Sequence, residues 1–331
     1  TPLYYLPVAM DIYTDGVPKR FDVVIDEGEE TFEFPLDRKP ELVVFDGDRM
    51  LLAEITDNKT LSDYKVQYVR SGKLMDRIDA QAALLASGDT AVVTETILES
   101  LNDAHPYLRI QALRAISQGD SSKMAGIVGA VKEMAYSDPK SSVRTAAVET
   151  MSSHYKESSE DFYRNRLEDP SYSVAGAALL GVYKNRSYEA LDLARKIGPT
   201  AKLNLMSASM KIIAELGDEK DAAFMKEKAE LASGFGAISV RNSYTNFLIR
   251  QNEGVVAEGM DILASAARSD SQWYLRYSAM NNLESLRDGI KERDEGSSSE
   301  DWMSSMVDRL GTVMSDIKAQ ETNPRLKSYW K

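Results

Sequence analysis

An aspartate followed six positions later by an arginine recurs at Asp103–Arg109, Asp138–Arg144 and Asp270–Arg276. These are the residues whose types and spacing are best suited to chemistry. A carboxylate and a guanidinium make paired, charge-assisted hydrogen bonds. Such a column either recognises carboxylate or phosphate ligands or ties successive elements of the chain together. Recurrence at the same place in each repeat favours the structural use. The two histidines, His105 and His154, have no second ligand at helical spacing, and cysteine is absent. A zinc site needs three or four ligands at defined spacing. His-Glu-x-x-His, Gly-x-Ser-x-Gly and a Gly-rich phosphate loop are all missing. No catalytic and no metal-binding residue is therefore assigned within the chain.

The Asp/Arg pairs belong to a longer periodic phrase. Leu108, Val143, Val174, Leu205, Val240 and Leu275 align at steps of 35, 31, 31, 35 and 35 residues. A fixed period in this range marks a solenoid of stacked helical units. Each unit reads as an A helix, a turn and a B helix. The A helices are expected near 122–136, 158–167, 187–197, 218–232 and 254–268, and Asp-Pro (138–139, 169–170) marks entry to the B helices. Each B helix carries an apolar residue, a small residue four on and a further apolar residue, as in Leu108/Ala112/Ile116 and Val174/Ala178/Val182. That stripe faces the A helix. Leu74, Ile78 and Leu85 mark the first helix, closed by Gly88. Residues 287–300 read as a solvated loop. Trp302, Met303, Met306, Leu310, Val313 and Ile317 then form a capping helix. The Asp/Arg column is interrupted at Ala175 and Met206, and Phe235 replaces the aspartate before Arg241.

Residues 1–57 follow a different period. Val8, Met10 and Ile12, then Phe21, Val23 and Ile25, then Phe32, Phe34 and Leu36, then 42–45 alternate with polar residues between Asp15-Gly16, Glu27-Gly28 and Asp46-Gly47. This predicts about four short antiparallel strands, five with Leu51–Ile55. The fold class is thus mainly α: an α-solenoid (58–331) preceded by a small antiparallel sheet or partial sandwich (1–57). A sandwich usually has about seven strands, so the missing ones are expected ahead of Thr1.

A formal charge of −12 and the lack of any Lys/Arg run exclude phosphate-backbone binding as the general role, so nucleic acid is not an expected partner. No stretch approaches about 20 apolar residues, so a membrane is not expected either. The chain opens on Thr1 rather than Met and reads as a piece of a longer polypeptide. The compartment stays open, an extracytoplasmic one included.

The Asp-to-Arg spacing of six resembles HEAT repeats, where these residues form a ladder between neighbours. The order of Tyr5-Leu6-Pro7-Val8, Lys39-Pro40-Glu41-Leu42-Val43-Val44-Phe45-Asp46, Asp76-Arg77-Ile78-Asp79-Ala80 and Asn323-Pro324-Arg325-Leu326 resembles the C-terminal part of M1-family zinc aminopeptidases with a HEAT-like tail. The resemblance implies a non-catalytic region that covers the active site and limits peptide access. The parent would release N-terminal amino acids. Zinc and its ligands would lie in an N-terminal catalytic domain that this chain does not contain, and that domain and peptide substrates would be the partners. Alternatives are a stand-alone HEAT scaffold for a protein partner and a HEAT-like bilin lyase or related repeat enzyme.

The position six past each alignment mark reads Arg114, Glu149, Leu180, Lys211, Asn246 and Asn281. It falls on the side of the B helix away from the A helix. Tyr107 and Tyr274 immediately precede marks, with Tyr277 nearby. This mostly polar column with tyrosines is the expected substrate-access wall, because tyrosine offers apolar area and one hydrogen bond.

Overall fold

Asp15-Gly16 turns the chain as its residue types require. Both residues adopt left-handed backbone (φ +52° and +78°), which is the geometry of a two-residue hairpin turn and is open to Asp-Gly at little steric cost. In the computed structural model, strands β1 (Leu6–Thr14) and β2 (Val17–Ile25) pair in register through this turn, and β3 (Leu42–Val44) pairs with the other side of β1, giving the antiparallel order β2-β1-β3. The structure describes residues 3–119, 126–154, 160–185, 187–296 and 301–330. These fall into two compact units, Thr1–Asp120 and Ser121–Lys331.

The sheet has three strands, not the four or five expected. Phe34 leaves the pairing and packs its ring on Phe21, with centroids 4.6 Å apart. Pro35 beside it has no N–H to donate to a ladder. Leu52 is fully exposed, and no strand forms at residues 51–55. Alternation makes a segment amphipathic, but a strand also needs a neighbouring edge. Tyr13, Leu42 and Val44 form the buried face, against Val66.

Helix α1 (Leu61–Arg70) precedes the helix expected to be first. Its start is a reciprocal cap: Thr60 accepts from the Asp63 N–H, and Asp63 accepts from the Thr60 N–H. Its apolar stripe is written in Tyr64 and Tyr68 rather than Leu or Ile, which hides it from a simple periodicity count. Helices α2 (Leu74–Leu85), α3 (Thr90–Ser100) and α4 (Pro106–Gln118) complete the first unit. Gly88, at φ +75°, follows α2 as expected of a helix-ending glycine.

The second unit is a helical-repeat array. Its A helices are α5 (Val128–Ser137), α7 (Glu160–Leu167), α9 (Ser187–Ile197), α11 (Ala222–Leu231) and α13 (Glu253–Ser269). Its B helices are α6 (Ser141–His154), α8 (Tyr172–Asn185), α10 (Leu203–Leu216), α12 (Gly236–Leu248) and α14 (Trp273–Gly296). Each A helix packs on its B helix, and the B helices pack one on the next from α6 to α14. The predicted stripe is the core: Val174 and Ala178 are fully buried, and Leu108, Ala112 and Ile116 of α4 equally so in the first unit. At Gly176 a Cβ would lie 2.8 Å from the Asn204 carbonyl oxygen, so only glycine permits the observed approach of α10 to α8.

Residues 287–296 are not a loop. They are the last turns of α14, because Leu283, Leu286 and Ile290 continue the buried stripe. Arg293 also fastens that end to the carbonyls of Ile249 (3.2 Å) and Gln251 (2.7 Å). Residues 297–300 of the same expected loop lie outside the described residues. The capping helix α15 (Asp301–Gln320) packs on α13 and α14, and a short α16 (Pro324–Tyr329) follows.

The Asp/Arg column is a ladder with a definite wiring. Each arginine six past its aspartate first bonds the carbonyl of that aspartate: Arg109 to Asp103 O (2.7 Å), Arg144 to Asp138 O (2.9 Å) and Arg276 to Asp270 O (2.8 Å). At Arg144 and Arg276 the remaining N–H groups reach an acid further along the array. Arg144 grips Asp169 through two 2.9 Å bonds, and Arg276 grips Glu321 at 2.9 and 3.2 Å. Away from this column, Arg195 of α9 grips Asp221, at the start of α11, at 2.9 and 2.8 Å. Arg241 reaches Asp270 (2.5 Å) and the Ala232 carbonyl, although Phe235 stands where its own aspartate was expected. In the first unit Asp103 accepts from Arg77 and from the Tyr68 hydroxyl (2.8 Å), whose pKa burial pushes up to about 12. The aspartates do not cap the helices directly. Asp103, Asp138 and Asp169 accept from the backbone N–H two residues on, and His105 is the cap of α4.

Two predictions follow from this wiring. Arg144→Ala removes both charge-assisted bonds to the nearly buried Asp169 carboxylate, leaving it Arg166 at 3.6 Å and the Ser171 N–H, and is expected to lower stability by about 1–3 kcal/mol, read as a lower melting temperature. Unchanged melting with lost ligand binding would assign Arg144 to a ligand instead. Arg276 holds the Glu321 carboxyl below its ordinary 4.5. A lowered carboxyl pKa contributes stability that is complete above the unfolded value and disappears as pH falls through the folded one. Glu321→Gln should therefore flatten the acid side of the stability curve below about pH 4.5. An identical acid limb for both proteins in urea titrations would refute the rung.

Candidate functional site

In the second unit the B helices lie side by side, so the residues at one helical position form a row. Glu149 on α6, Lys211 on α10, Asn246 on α12 and Asn281 on α14 are all exposed, and Leu180 on α8 is half-buried. In the first unit Tyr107 and Arg114 are exposed on α4. Tyr274 and Tyr277 are half-buried.

The structure brings part of this set together. Between α10 and α12 lies an open groove of about 410 Å³, walled by Lys211, Ala214 and Glu215 on one side and Ile238, Ser239, Asn242, Ser243 and Asn246 on the other. Phe235 also lines the groove. It is 77% exposed and stacks on Tyr274, with centroids 5.0 Å apart and planes 12° from parallel. Lys211, Asn246 and Tyr274 thus share one neighbourhood. Tyr277 instead packs on Tyr329 (5.5 Å).

Phe235 was not expected at a site. The available signal was an aromatic residue flanked by Gly234 and Gly236, with Gly234 in left-handed backbone (φ +59°). That turn presents the ring outward where four of the other five repeats place an aspartate (Asp103, Asp138, Asp169 and Asp270). Polar contacts brace the surroundings. The Tyr183 hydroxyl donates to Glu215, which raises the hydroxyl's pKa, and the Asn204 amide donates to Ser173 (3.0 Å).

The groove offers one cation, one shared carboxylate, two primary amides, two hydroxyls and an aromatic face. Asparagine amides both donate and accept, as a peptide unit does, and a stacked ring accepts an apolar side chain. This set suits the binding of extended polar chains.

A zinc ion does not fit the described residues. Among them no three His, Asp or Glu side chains converge to hold a metal. The Nδ1 atom of His105 already accepts from the Tyr107 N–H at 3.3 Å, which ties that nitrogen to the α4 cap. No described helix is long and apolar enough to cross a membrane.

No family model matches the chain, and no curated protein matches it. Solved structures with a similar arrangement include YibA of E. coli (TM-score 0.47, 11% identity, covering 78% of this chain and 99% of that one). The CpcE–CpcF complex of phycocyanin lyase from Nostoc is also similar (TM-score 0.45, 15% identity, 81% and 98%). A third is Legionella pneumophila aminopeptidase A in complex with aspartic acid (TM-score 0.46, 14% identity), which this chain covers over 94% of its own length and 45% of that chain.

Proposed function

We propose that this chain is the non-catalytic C-terminal region of an M1-type zinc aminopeptidase, with part of its sheet covered by a catalytic portion and its B helices bounding the space through which peptides arrive. The observation that carries this reading is the surface of the first unit. Half of the exposed large apolar side chains among the described residues fall between Leu3 and Leu61. Leu3, Tyr4 and Tyr5 lead into β1, and Val17 and Val43 lie on the sheet itself, with exposures from 38% to 71%. Exposed apolar side chains gathered at one sheet mark a surface that another protein surface covers. The motif order from Tyr5 to Leu326 supplies the identity of that cover. Zinc would reside in the catalytic portion, and no step of hydrolysis is assigned to residues of this chain.

The groove deepens the role of the helical part. Lys211, Asn246 and Phe235 would hold the distal part of a peptide whose N-terminus is processed elsewhere. Glu149 and Asn281, with Tyr274 and Tyr277, extend this wall in the proposal, and Tyr107 and Arg114 of the first unit are proposed as peptide contacts in their own right.

The chain alone is expected to hydrolyse no aminoacyl-anilide with added Zn²⁺, and the reading frame ahead of Thr1 is expected to encode His-Glu-x-x-His. Chelator-sensitive turnover by the pure chain, or a frame without that motif, would overturn the reading. In the full-length protein, Lys211→Glu combined with Phe235→Ala should leave melting within about 1 kcal/mol of the parent, since both are surface changes. It should lower kcat/KM for peptides of about ten residues several-fold while sparing dipeptides. Equal rates for both lengths would remove the groove from the substrate path.

A further inference from the structure

A second hollow, of about 370 Å³, lies within the first unit between the loop after β3 and helices α1 and α2. Its wall combines apolar and aromatic side chains (Val44, Phe45, Ile55, Tyr64) with Asp46, Asp57, Asp76, Asp79, Arg49, Lys59 and Gln67. The charged groups are largely committed to one another. Arg49 bonds Asp76 (2.9 Å) and Asp79 (2.5 Å), Lys59 bonds Asp57 (2.5 Å), and Asp46 accepts from the N–H groups of Met50 (3.0 Å) and Leu51 (2.8 Å). Four carboxylates against two cations leave the hollow formally negative. Both Asp57 and Asp79 reach Tyr64 electrostatically and, after burial, keep its hydroxyl protonated to higher pH.

Gln67 is the group without an explanation. It is 2% exposed, and its Nε2 donates to the Asp76 carbonyl at 2.7 Å. That bond fixes the orientation of the amide, because a flipped Oε1 would face a carbonyl oxygen. Oε1 is then a buried acceptor with no hydrogen-bond partner. A buried unsatisfied acceptor carries an uncompensated desolvation cost and calls for a donor.

We propose that this hollow binds a small organic ammonium ion, its N–H groups donated to Gln67 Oε1 and to the Asp79 carboxylate and its carbon tail laid against Ile55 and Tyr64. An anion is disfavoured by the excess of carboxylates. A divalent metal is disfavoured because Asp46 and Asp76 already spend their oxygens on backbone, Ser71 and Arg49, and no three metal-ligating side chains converge there. The volume lies at the lower end of the range typical of small-molecule sites, about 300–1,000 Å³. The inference is independent of the peptidase reading, since it uses only residues of the first unit.

The test uses the whole chain and n-butylammonium chloride as probe, with sodium butyrate and sodium chloride as controls, followed by amide NMR shifts. Saturable shifts at residues 44–79 with butylammonium alone are expected. The affinity should fall at least tenfold in Asp79→Asn, a half-exposed position whose change spares the core, and in Gln67→Met, which keeps length and removes the acceptor. If Gln67→Met does not fold, Asp79→Asn decides. No saturable shift, equal shifts with butyrate, or undiminished affinity in Asp79→Asn would overturn the proposal and leave Gln67 Oε1 to an ordered water.

Discussion

The array depends on one arrangement of the arginine side chain. A guanidinium has five N–H groups in a rigid fork. Here one prong closes the turn of its own repeat and the others cross to an acid further along the array, as at Arg144 and Arg276. The same side chain therefore fixes a local turn and the spacing between neighbours. The acids are nearly buried, with side-chain exposures of 4% at Asp169 and 6% at Glu321. Buried carboxylates of this kind are tolerable only while paired, so the rungs make stacking mutual.

Arginine–carboxylate grips also form off the repeating motif. Arg195 comes from an A helix to grip Asp221, and Glu321, beyond the last repeat, takes the place of an aspartate for Arg276. The ladder is thus kept by position and charge rather than by one motif. Arg241 is the skewed rung. Its Nε is buried without a partner, and the aspartate it would have faced in its own repeat is Phe235. The residue lost from the ladder is the one that appears in the lining of the groove.

The first unit uses a carboxylate differently. Asp11, on the central strand, accepts two bonds from Arg20 on β2 (2.8 and 2.9 Å) and one from Lys73 at the start of α2 (2.9 Å). The Arg20 pair holds its carboxyl below the usual range against the opposing effect of burial. The sheet is clamped to the helices by charge at this point, while its outlying apolar residues, Tyr4 and Val17 among them, remain exposed.

What the sequence by itself determined is the periodic part. The step of 31 or 35 residues set the number and order of helix pairs, because stacking repeats must place equivalent side chains in equivalent environments. The Asp-Gly turn was equally legible, since it depends on two residues alone. Helix α1 and the end of α14 were not, because tyrosines carry one stripe and a single Ile290 anchors a charged run in the other. Lys211, Asn246 and Asn281 are exposed, since outward direction follows from helical period. Only the tertiary structure decided that Lys211 and Asn246 face one groove, that Phe235 lines it and stacks on Tyr274, and that Gln67 keeps an acceptor without a partner. Those facts depend on which neighbours pack where, and no local spacing encodes a contact between residues brought together by the stacking of separate helices.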